Sequence, residues 1–367
     1  MQDILKKYAD LLVHYCVSLQ PGEKLYVHST TAAEPLVREV YRAALRAGGI
    51  VEVDLAFRGR GRIFLEEADG AQLDHVNTLY DRAVREFDAY LYIRAPFNLF
   101  EDAGAGNAER QQRRKAALRD AQQIYFARTG TRDLKRNLCQ FPTQAAAQNA
   151  DMSLDAYEQF VFGACKLFED DPKAAWQALS QRQQGIVDEL NKHESFRYAS
   201  EQIDISFSTK GRTWINSDGQ TNMPSGEVYT SPVEDSVNGH IHFDYPSVYQ
   251  GHEVEGVTLY VKDGYIERWE AKRGKDFLDQ IFAMDGARRF GEAAIGTNYD
   301  IDRFTKNILF DEKIGGTVHM AIGQSYRQCG GRNESAVHWD MIADMTRGGV
   351  VYADGAAVYE SGKFLVG

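Results

Sequence analysis

The chain has 367 residues and a formal net charge of -11, with 43% hydrophobic and 26% charged residues. This length suits two domains that share an interface, and the composition is that of a globular protein without the roughly 18-residue apolar run that a membrane span requires. We therefore expect no membrane partner, and the acidic charge argues against a nucleic-acid partner, since phosphate binding needs a basic face.

Helical and strand patterns alternate through the first half of the chain. Residues 3–17 predict a helix and 24–28 a strand, and a second helix and strand follow at 35–57. Strand character returns at 89–96 and at 123–130, on either side of a charged helical stretch. This order predicts a mostly parallel sheet flanked by helices, so we expect an N-terminal α/β domain.

Two glycine-containing stretches in this half could have a functional role. RGRGR at 58–62 matches neither the dinucleotide-binding nor the P-loop spacing, and no helix clearly starts there, so we do not predict nucleotide binding. The polar stretch at 100–110 predicts a mobile loop. It is either a plain connector or a loop that gates substrate or contacts a second subunit.

The pattern changes in the second half. Residues 152–193 predict two long amphipathic helices that bridge the domains, with Ser153 as the N-cap of the first. Short alternating runs separated by Gly, Asn and Asp then predict antiparallel strands, with one helix within 276–291. We therefore expect an α/β protein whose N-terminal α/β domain covers 1–195 and whose mainly antiparallel β domain covers 196–367.

The cysteines and the N-terminal segment bear on the compartment. Cys16, Cys139, Cys165 and Cys329 lie far apart without a CxxC spacing, which is typical of reduced thiols rather than of a disulfide framework or a structural zinc site. The first helical segment has neither the uninterrupted apolar stretch nor the cleavage pattern of a secretion signal. We therefore expect a cytoplasmic protein.

The strongest local indication of a metal site is VHWDMI at 337–342. A strand there would place His338 and Asp340 on one face and Trp339 on the other. Imidazole and carboxylate together suit zinc, manganese, cobalt or iron. An isolated HxD has an ordinary structural explanation as well, so this pair needs further ligands before it indicates a metal.

Four other stretches of the C-terminal half could supply those ligands. His319 stands in a second predicted strand, and Asp311 and Glu312 follow an apolar run. Glu292 follows a glycine in an apolar stretch, where an unpaired carboxylate is costly unless a cation meets it. Glu227 stands between a turn and a predicted strand. Periodicity cannot show whether these side chains converge.

The ordered motifs PSGEVYTSP, FGEAAIGTN, LFDE, TVHMAIG and NESAVHWDMI resemble those of the aminopeptidase T and aminopeptidase S family of two-metal peptidases. The opening segment LLVHYCVSLQPGEKLYV and the middle segment FPTQAAAQNADMSLDAYEQFVFGAC resemble that family too, so the resemblance spans nearly the whole chain. It implies two divalent metal ions per chain, such as zinc, cobalt, manganese or magnesium. By this resemblance the ligands are Glu227, Glu292, Glu312, His319, His338 and Asp340.

The resemblance also implies catalytic roles. Glu292 would be the bridging carboxylate, and Tyr326 matches the family's active-site tyrosine, which could hold a water or stabilise the oxyanion. Glu292 or Glu312 would accept the proton of the attacking water. Four carboxylates and two neutral imidazoles would balance two divalent cations. Three further histidines are expected to be structural or to line the pocket: His240, His242 and His252.

The implied function is hydrolysis of the N-terminal peptide bond of short peptides by a homodimer. The chain is somewhat short for the family, and only 18 residues separate His319 from His338. We expect this short loop to shape the pocket and hence the substrate preference.

Two other functions stay open at this point. The scaffold also resembles that of iron-dependent dihydroxypyridine dioxygenases, whose single iron would take His319, His338 and Asp340. Three retained glutamates would then crowd one ion with surplus negative charge. A catalytically inactive dimer that serves as an interaction module would have lost ligands, and no ligand position is lost here.

Overall fold

The computed structural model describes residues 2–101 and 104–366. Its contacts divide the chain into two compact units, Met1–Lys173 with Gly219–Pro224 and Ala174–Asp218 with Ser225–Gly367. The domain boundary expected after residue 195 stays a prediction, and residues 174–195 group with the strands that follow them.

Helices alternate with strands in the first unit. A π-helical turn at Leu12–Cys16 continues the first helix, and a 3-10 turn at Thr31–Ala33 precedes the second. The elements in chain order are α1 (Gln2–Leu11), β1 (Lys24–Thr30), α2 (Glu34–Arg46), β2 (Ile50–Ala56), α3 (Arg60–Glu67), α4 (Gly70–Asp74), α5 (Thr78–Glu86), β3 (Ala89–Arg94), α6 (Ala108–Gly130), β4 (Lys135–Gln140), α7 (Gln144–Asn149) and α8 (Leu154–Ala164).

A five-stranded parallel sheet organises this unit. Its strand order is β2-β1-β3-β4 followed by the short strand Asn222–Met223, and every pair is parallel. Leu25, Val27, Leu91 and Ile93 of the inner strands β1 and β3 are fully buried. Apolar strands of this kind are typical of parallel sheets that helices cover. The predicted mostly parallel sheet is confirmed.

Two local predictions in this unit were wrong. Residues 123–130 are the last turns of α6, and the fourth strand is β4 instead. Because no glycine or proline interrupts the chain between 108 and 129, the helix continues to Gly130 despite the aromatic residues near its end. A helix, α3, does begin within the 58–62 segment.

The loop predicted at 100–110 is shorter than expected, since α6 begins at Ala108. Residues 102 and 103 of that stretch lie outside the described residues. Within the described ranges, none of the helices combines the length and the apolar character that crossing a bilayer requires.

The predicted N-cap of helix α8, which belongs to the first unit, is confirmed, since the Ser153 hydroxyl accepts a hydrogen bond from the backbone N–H of Ala156.

The second unit is mainly antiparallel β. The remaining elements of the chain, with Asn222–Met223 counted as β8, are α9 (Pro172–Leu190), β5 (Ser195–Ala199), β6 (Ile203–Ser208), β7 (Ile215–Ser217), β9 (Glu227–Thr230), β10 (Asn238–Phe243), β11 (Ser247–Tyr249), β12 (His252–Val254), β13 (Val257–Lys262), β14 (Tyr265–Glu270), α10 (Lys275–Phe282), β15 (Phe290–Gly296), α11 (Ile308–Asp311), β16 (Thr317–Gly323), β17 (His338–Asp344), β18 (Val350–Ala353), β19 (Ala356–Glu360) and β20 (Lys363–Phe364).

Two antiparallel sheets share the core of this unit. The larger has the order β14-β13-β10-β6-β5-β18-β19-β20, and the smaller has the order β17-β16-β15-β9-β7. Ile205 and Leu259 of the larger sheet and Met320 and Met341 of the smaller belong to one buried apolar cluster. The smaller sheet thus has one face in the core, and its other face can carry polar side chains.

Candidate metal centre

Alternation along the strands of the smaller sheet separates core residues from the predicted ligands. In β16, Met320 lies in the core, and because successive side chains point to opposite faces, His319 lies on the other face. In β17, Trp339 lies in the core, so His338 and Asp340 share the opposite face. The prediction for this pair required a strand at these residues, and β17 is that strand.

The register brings acidic residues of different strands into one row. Asp340 of β17 pairs with Ala321 of β16, which pairs in turn with Glu292 of β15. Directly opposed residues of antiparallel strands have Cβ atoms about 5 Å apart. The small side chain of Ala321 therefore leaves room between the two acids. On the other side of β15, Gly296 pairs with Glu227 at the start of β9.

Gly291 explains the unusual position of Glu292 after a glycine in an apolar strand. The β15–β16 register shifts between Phe290 and Glu292. A Cβ atom at position 291 would lie 2.2 Å from the backbone oxygen of Gln324, so only glycine fits this close approach. Bulges of this kind re-aim the side chain that follows, which here is Glu292.

Two groups of potential metal-binding atoms share Glu292. One consists of Glu227, Glu292 and His319 and the other of Glu292, His338 and Asp340, and the atoms of each group lie within 4.8 Å of one another. His319 Nε2 lies 3.4 Å from Glu227 Oε2 and 3.7 Å from Glu292 Oε1. His338 Nε2 lies 3.3 Å from Glu292 Oε2 and 3.8 Å from Asp340 Oδ2.

These side chains are buried except that of His338, which is 27% exposed, and the protein does not satisfy all of the buried polar atoms. The side chains of Glu227 and Glu292 are 8% and 5% exposed. Among the described residues, the buried atoms without a hydrogen-bond partner include Glu227 Oε2, His319 Nδ1 and Asp340 Oδ1. Unpaired buried polar atoms are costly, and carboxylate and imidazole groups bind divalent transition metals. The residues therefore fit a metal centre.

A backbone contact fixes the orientation of the His338 ring. His338 Nδ1 lies 2.8 Å from the carbonyl oxygen of Gln324, and only a protonated nitrogen can donate to a carbonyl. Metal-binding histidines usually donate their second N–H in this way. His338 Nε2 is thus the atom available to a metal, and it faces Glu292, Asp340 and the Tyr326 hydroxyl.

Tyr326 lies against the second donor group. Its hydroxyl is 3.2 Å from His338 Nε2, and its ring packs edge-on against the rings of Tyr229 and His338. Burial, reinforced by the charge of Glu292, raises the pKa of Tyr326 well above its ordinary value. The hydroxyl therefore keeps its proton and can donate a hydrogen bond at the centre.

The buried charges shift one another's pKa values. Burial raises the pKa of Glu227 to about 7 and that of Asp340 to about 6. Burial opposes the charged form of Glu292 too, but its contacts with the two imidazoles lower its pKa to about 2. The carboxylates outweigh the effect of burial on the histidines and raise the pKa of His319 to about 9 and that of His338 to about 10. The carboxylates of the cluster thus stabilise a positive charge placed between them.

Glu312 reaches the edge of this cluster from a turn after α11. The turn is fixed by the buried Asp311, whose Oδ1 accepts hydrogen bonds of 2.8 Å from both the backbone N–H and the hydroxyl of Thr305, and whose Oδ2 accepts one of 2.9 Å from the backbone N–H of Asn307. Glu312 belongs to neither donor group found among the described residues. It stays a predicted ligand.

Lys313 is a residue at the site that sequence reasoning missed. Its side chain is fully buried, its Nζ contacts Glu312 Oε1, and it lies 3.6 Å from Glu227 Oε1. Burial lowers the pKa of Lys313, but the charges of Glu227 and Glu312 outweigh burial and raise it. The available signal was a lysine in the otherwise apolar and glycine-rich stretch between LFDE and TVHMAIG.

Gln183 of α9 was also missed, since nothing in its helical pattern marks it. Its fully buried side chain donates from Nε2 to the backbone oxygens of Ser217 and Glu227 at 3.0 and 3.2 Å, and its Oε1 accepts from the Thr297 hydroxyl at 2.7 Å. It thereby holds the backbone at the first residue of β9, which carries the Glu227 side chain.

The three remaining histidine candidates lie outside both donor groups. His240 stacks on Tyr260, His242 Nδ1 lies 2.8 Å from the Thr258 hydroxyl, and His252 stacks on an aromatic ring. These contacts fit structural roles.

The segment from Gln324 to His338 borders an open cavity of 780 Å³. Gln324, Arg327 and Ser335 contribute to its lining. Since Gln324 also binds the His338 ring, this short loop connects a surface cavity with the second donor group.

A largely buried cluster of carboxylates and imidazoles on one face of an antiparallel sheet is the kind of site that metalloenzymes use. The sequence profile of the thermophilic metalloprotease (M29) family matches residues 1–364. The chain belongs to this family.

Comparison with individual proteins agrees with that assignment. Aminopeptidase 2 of Geobacillus stearothermophilus is 28% identical over 354 residues, which cover 88% of this chain and 84% of that one. The solved structure of wild-type AmpT from Thermus thermophilus has a TM-score of 0.83 at 23% identity over 99% of both chains. That of 2,5-dihydroxypyridine dioxygenase from Pseudomonas putida KT2440 has a TM-score of 0.57 at 13% identity, over 99% of this chain and 96% of that one. At these identities the two structures show the fold alone.

Proposed function

We propose that the chain is a metal-dependent aminopeptidase that removes the N-terminal residue from short peptides by means of two divalent metal ions. The observation that carries this proposal is the pair of largely buried donor groups that share Glu292. Membership of the metalloprotease family and the likeness to aminopeptidase 2 support it.

In this proposal each donor group holds one ion. Glu227 and His319 would hold the first, His338 and Asp340 would hold the second, and Glu292 would contribute to both. Glu312 completes the predicted set from the edge of the cluster. Mixed nitrogen and oxygen ligands suit zinc, cobalt or manganese better than magnesium, which prefers oxygen alone.

When bound, the two ions would lower the pKa of a coordinated water and polarise the scissile carbonyl. Glu292 and Glu312 are the carboxylates that we propose as acceptors of the proton that this water loses. The Tyr326 hydroxyl, which keeps its proton, would donate a hydrogen bond to the oxygen on which negative charge develops.

We further propose that the protein is a cytoplasmic homodimer. The family resemblance of the motifs supports the dimer, and the four buried cysteines, which lie far apart in the sequence without a CxxC spacing, support a reducing compartment. Light scattering coupled to size-exclusion chromatography tests the first point, because a monomer mass at working concentration would contradict it.

The decisive experiment measures hydrolysis of a panel of aminoacyl-p-nitroanilides and dipeptides by protein that has been stripped of metal and then reloaded. Release of the N-terminal residue should disappear on stripping and return with zinc, cobalt or manganese. If no metal restores release from any member of the panel, the proposal is wrong.

Metal analysis separates the proposal from the dioxygenase alternative. A single iron would require His319, His338 and Asp340 to act together, whereas the donor groups of the described residues place His319 with Glu227 and Glu292. One iron per chain together with oxygen uptake on a dihydroxypyridine would favour the dioxygenase.

A further inference from the structure

Lys313 places a positive charge at one end of the proposed centre. Its fully buried ammonium group contacts Glu312 and lies 3.6 Å from Glu227. A buried ammonium charge is costly unless carboxylates pair with it, and these two residues provide that pairing. Lys313 is therefore part of the electrostatics of the centre and not a solvated surface charge.

The charge is not shared evenly between the two donor groups. Among the described residues, the ion pairs of Lys313 are with Glu227 and Glu312, and none joins it to Asp340. Glu227 belongs only to the donor group that contains His319, whereas Asp340 belongs only to the group that contains His338. The ammonium charge thus acts mainly on the first group.

The total charge of the proposed ligands and Lys313 also favours unequal binding of the two ions. Four carboxylates and one ammonium group leave three negative charges for two divalent ions. After one ion has bound, a single uncompensated negative charge remains for the second. The second ion is therefore disfavoured wherever the ammonium group is closest.

We propose that Lys313 makes the two ion sites unequal, so that the ion held by Glu227, Glu292 and His319 binds more weakly than the ion held by Glu292, His338 and Asp340. This inference rests on the proposed two-ion centre. Lys313 acts here as a positioning residue: it occupies carboxylate oxygens of Glu227 and Glu312 and repels a cation next to them. The weaker ion is then the one that responds to the metal concentration around the protein.

The test is a titration of metal-free protein with Zn²⁺ or Mn²⁺ by calorimetry, with metal content measured by elemental analysis after dialysis. The wild type should bind two ions in two resolved steps. In Lys313→Met and Lys313→Gln, the weaker step should tighten by about tenfold or more, because a unit charge a few ångströms away in a protein interior has at least that effect. The stronger step should change much less.

Two further variants separate charge from packing. Lys313→Arg keeps the charge and should keep the two steps apart. Lys272→Met removes the same charge from an exposed lysine that pairs with Glu255 in the same unit and should titrate like the wild type. If the neutral variants unfold without metal, chelator competition from the loaded protein gives the same two constants.

The possible results distinguish the inference from the proposed function. Two ions of equal affinity in the wild type, or no tightening in either neutral variant, would overturn the role of Lys313 and leave the two-ion centre intact. A loss of affinity at both steps in all three Lys313 variants would show a purely structural role and overturn it as well. Binding of only one ion by the wild type would overturn both proposals.

Discussion

Replacement of Tyr326 by phenylalanine tests the proposed oxyanion donor at the level of one hydroxyl. The ring contacts, with centroids 5.3 Å from Tyr229 and 5.0 Å from His338, do not involve that hydroxyl, so the phenyl ring should keep them. Among the described residues, the hydroxyl forms a hydrogen bond only with His338 Nε2, at 3.2 Å, and the substitution removes it. The free energy of unfolding should therefore fall by only about 1 kcal/mol.

The effect on catalysis should be much larger. Removal of one oxyanion donor costs a factor of roughly 10² to 10³ in kcat, or about 3 to 4 kcal/mol. The assay measures kcat and KM for an aminoacyl-p-nitroanilide, together with metal content, and we expect kcat to fall while KM and metal content stay near those of the wild type.

A neighbouring tyrosine provides the matched control. Tyr229 packs on the same ring, and its hydroxyl accepts a hydrogen bond from Gln328 Nε2 at 3.5 Å; among the described residues it is hydrogen-bonded to none of the proposed ligands. Tyr229→Phe should retain kcat within about threefold, as expected for loss of a neutral hydrogen bond. If Tyr326→Phe does the same with its metal fully bound, then Tyr326 is not the oxyanion donor.

Three other predictions concern stability. Gln183→Leu leaves the Thr297 hydroxyl and the Glu227 carbonyl without this buried partner and should lower the free energy of unfolding by about 3 kcal/mol in urea denaturation; a loss below about 1 kcal/mol would contradict the role of Gln183. Chelation should lower the melting temperature and readdition of metal should restore it, since an ion at a hundredfold excess over Kd adds about 2.7 kcal/mol; an unchanged melting temperature would argue against a metal centre. The pKa values of His319 and His338 in the folded metal-free chain, about 9 and about 10, lie above the unfolded value of about 6.5. The stability that their protonation contributes is complete below pH 6.5 and is lost as the pH rises through 9 to 10. The metal-free protein should therefore melt at a lower temperature at pH 10 than at pH 6.5. The opposite order would refute the pairing of these histidines with the carboxylates.

Local patterns predicted much of the architecture. The change from alternating helices and strands to short antiparallel strands is confirmed, because the period of the apolar residues reports directly which face an element buries. The pattern failed at 123–130, where aromatic residues suggested a strand and the uninterrupted helix α6 prevailed. Aromatic residues are compatible with either structure, so local preference does not decide between them.

The ligands differ in how far local reasoning could reach. His338 and Asp340 share a strand, so alternation alone places them on one face. Glu292 could be marked only as an acid in a costly position. The close approach of its neighbour Gly291 to Gln324 gives the physical cause of that position, and it involves a residue 33 positions away in the sequence.

The sequence by itself determined which side chains of this protein could bind metal, because residue type and strand alternation are local properties, and the family motifs supplied their order. Only the tertiary structure decided that Glu227, Glu292 and His319 approach one another, since strand register across β9, β15 and β16 depends on contacts between distant segments. The same holds for Lys313. Its sequence neighbours suggest a solvated turn, but the fold buries its charge between two carboxylates, where the low polarity of the interior makes that charge effective.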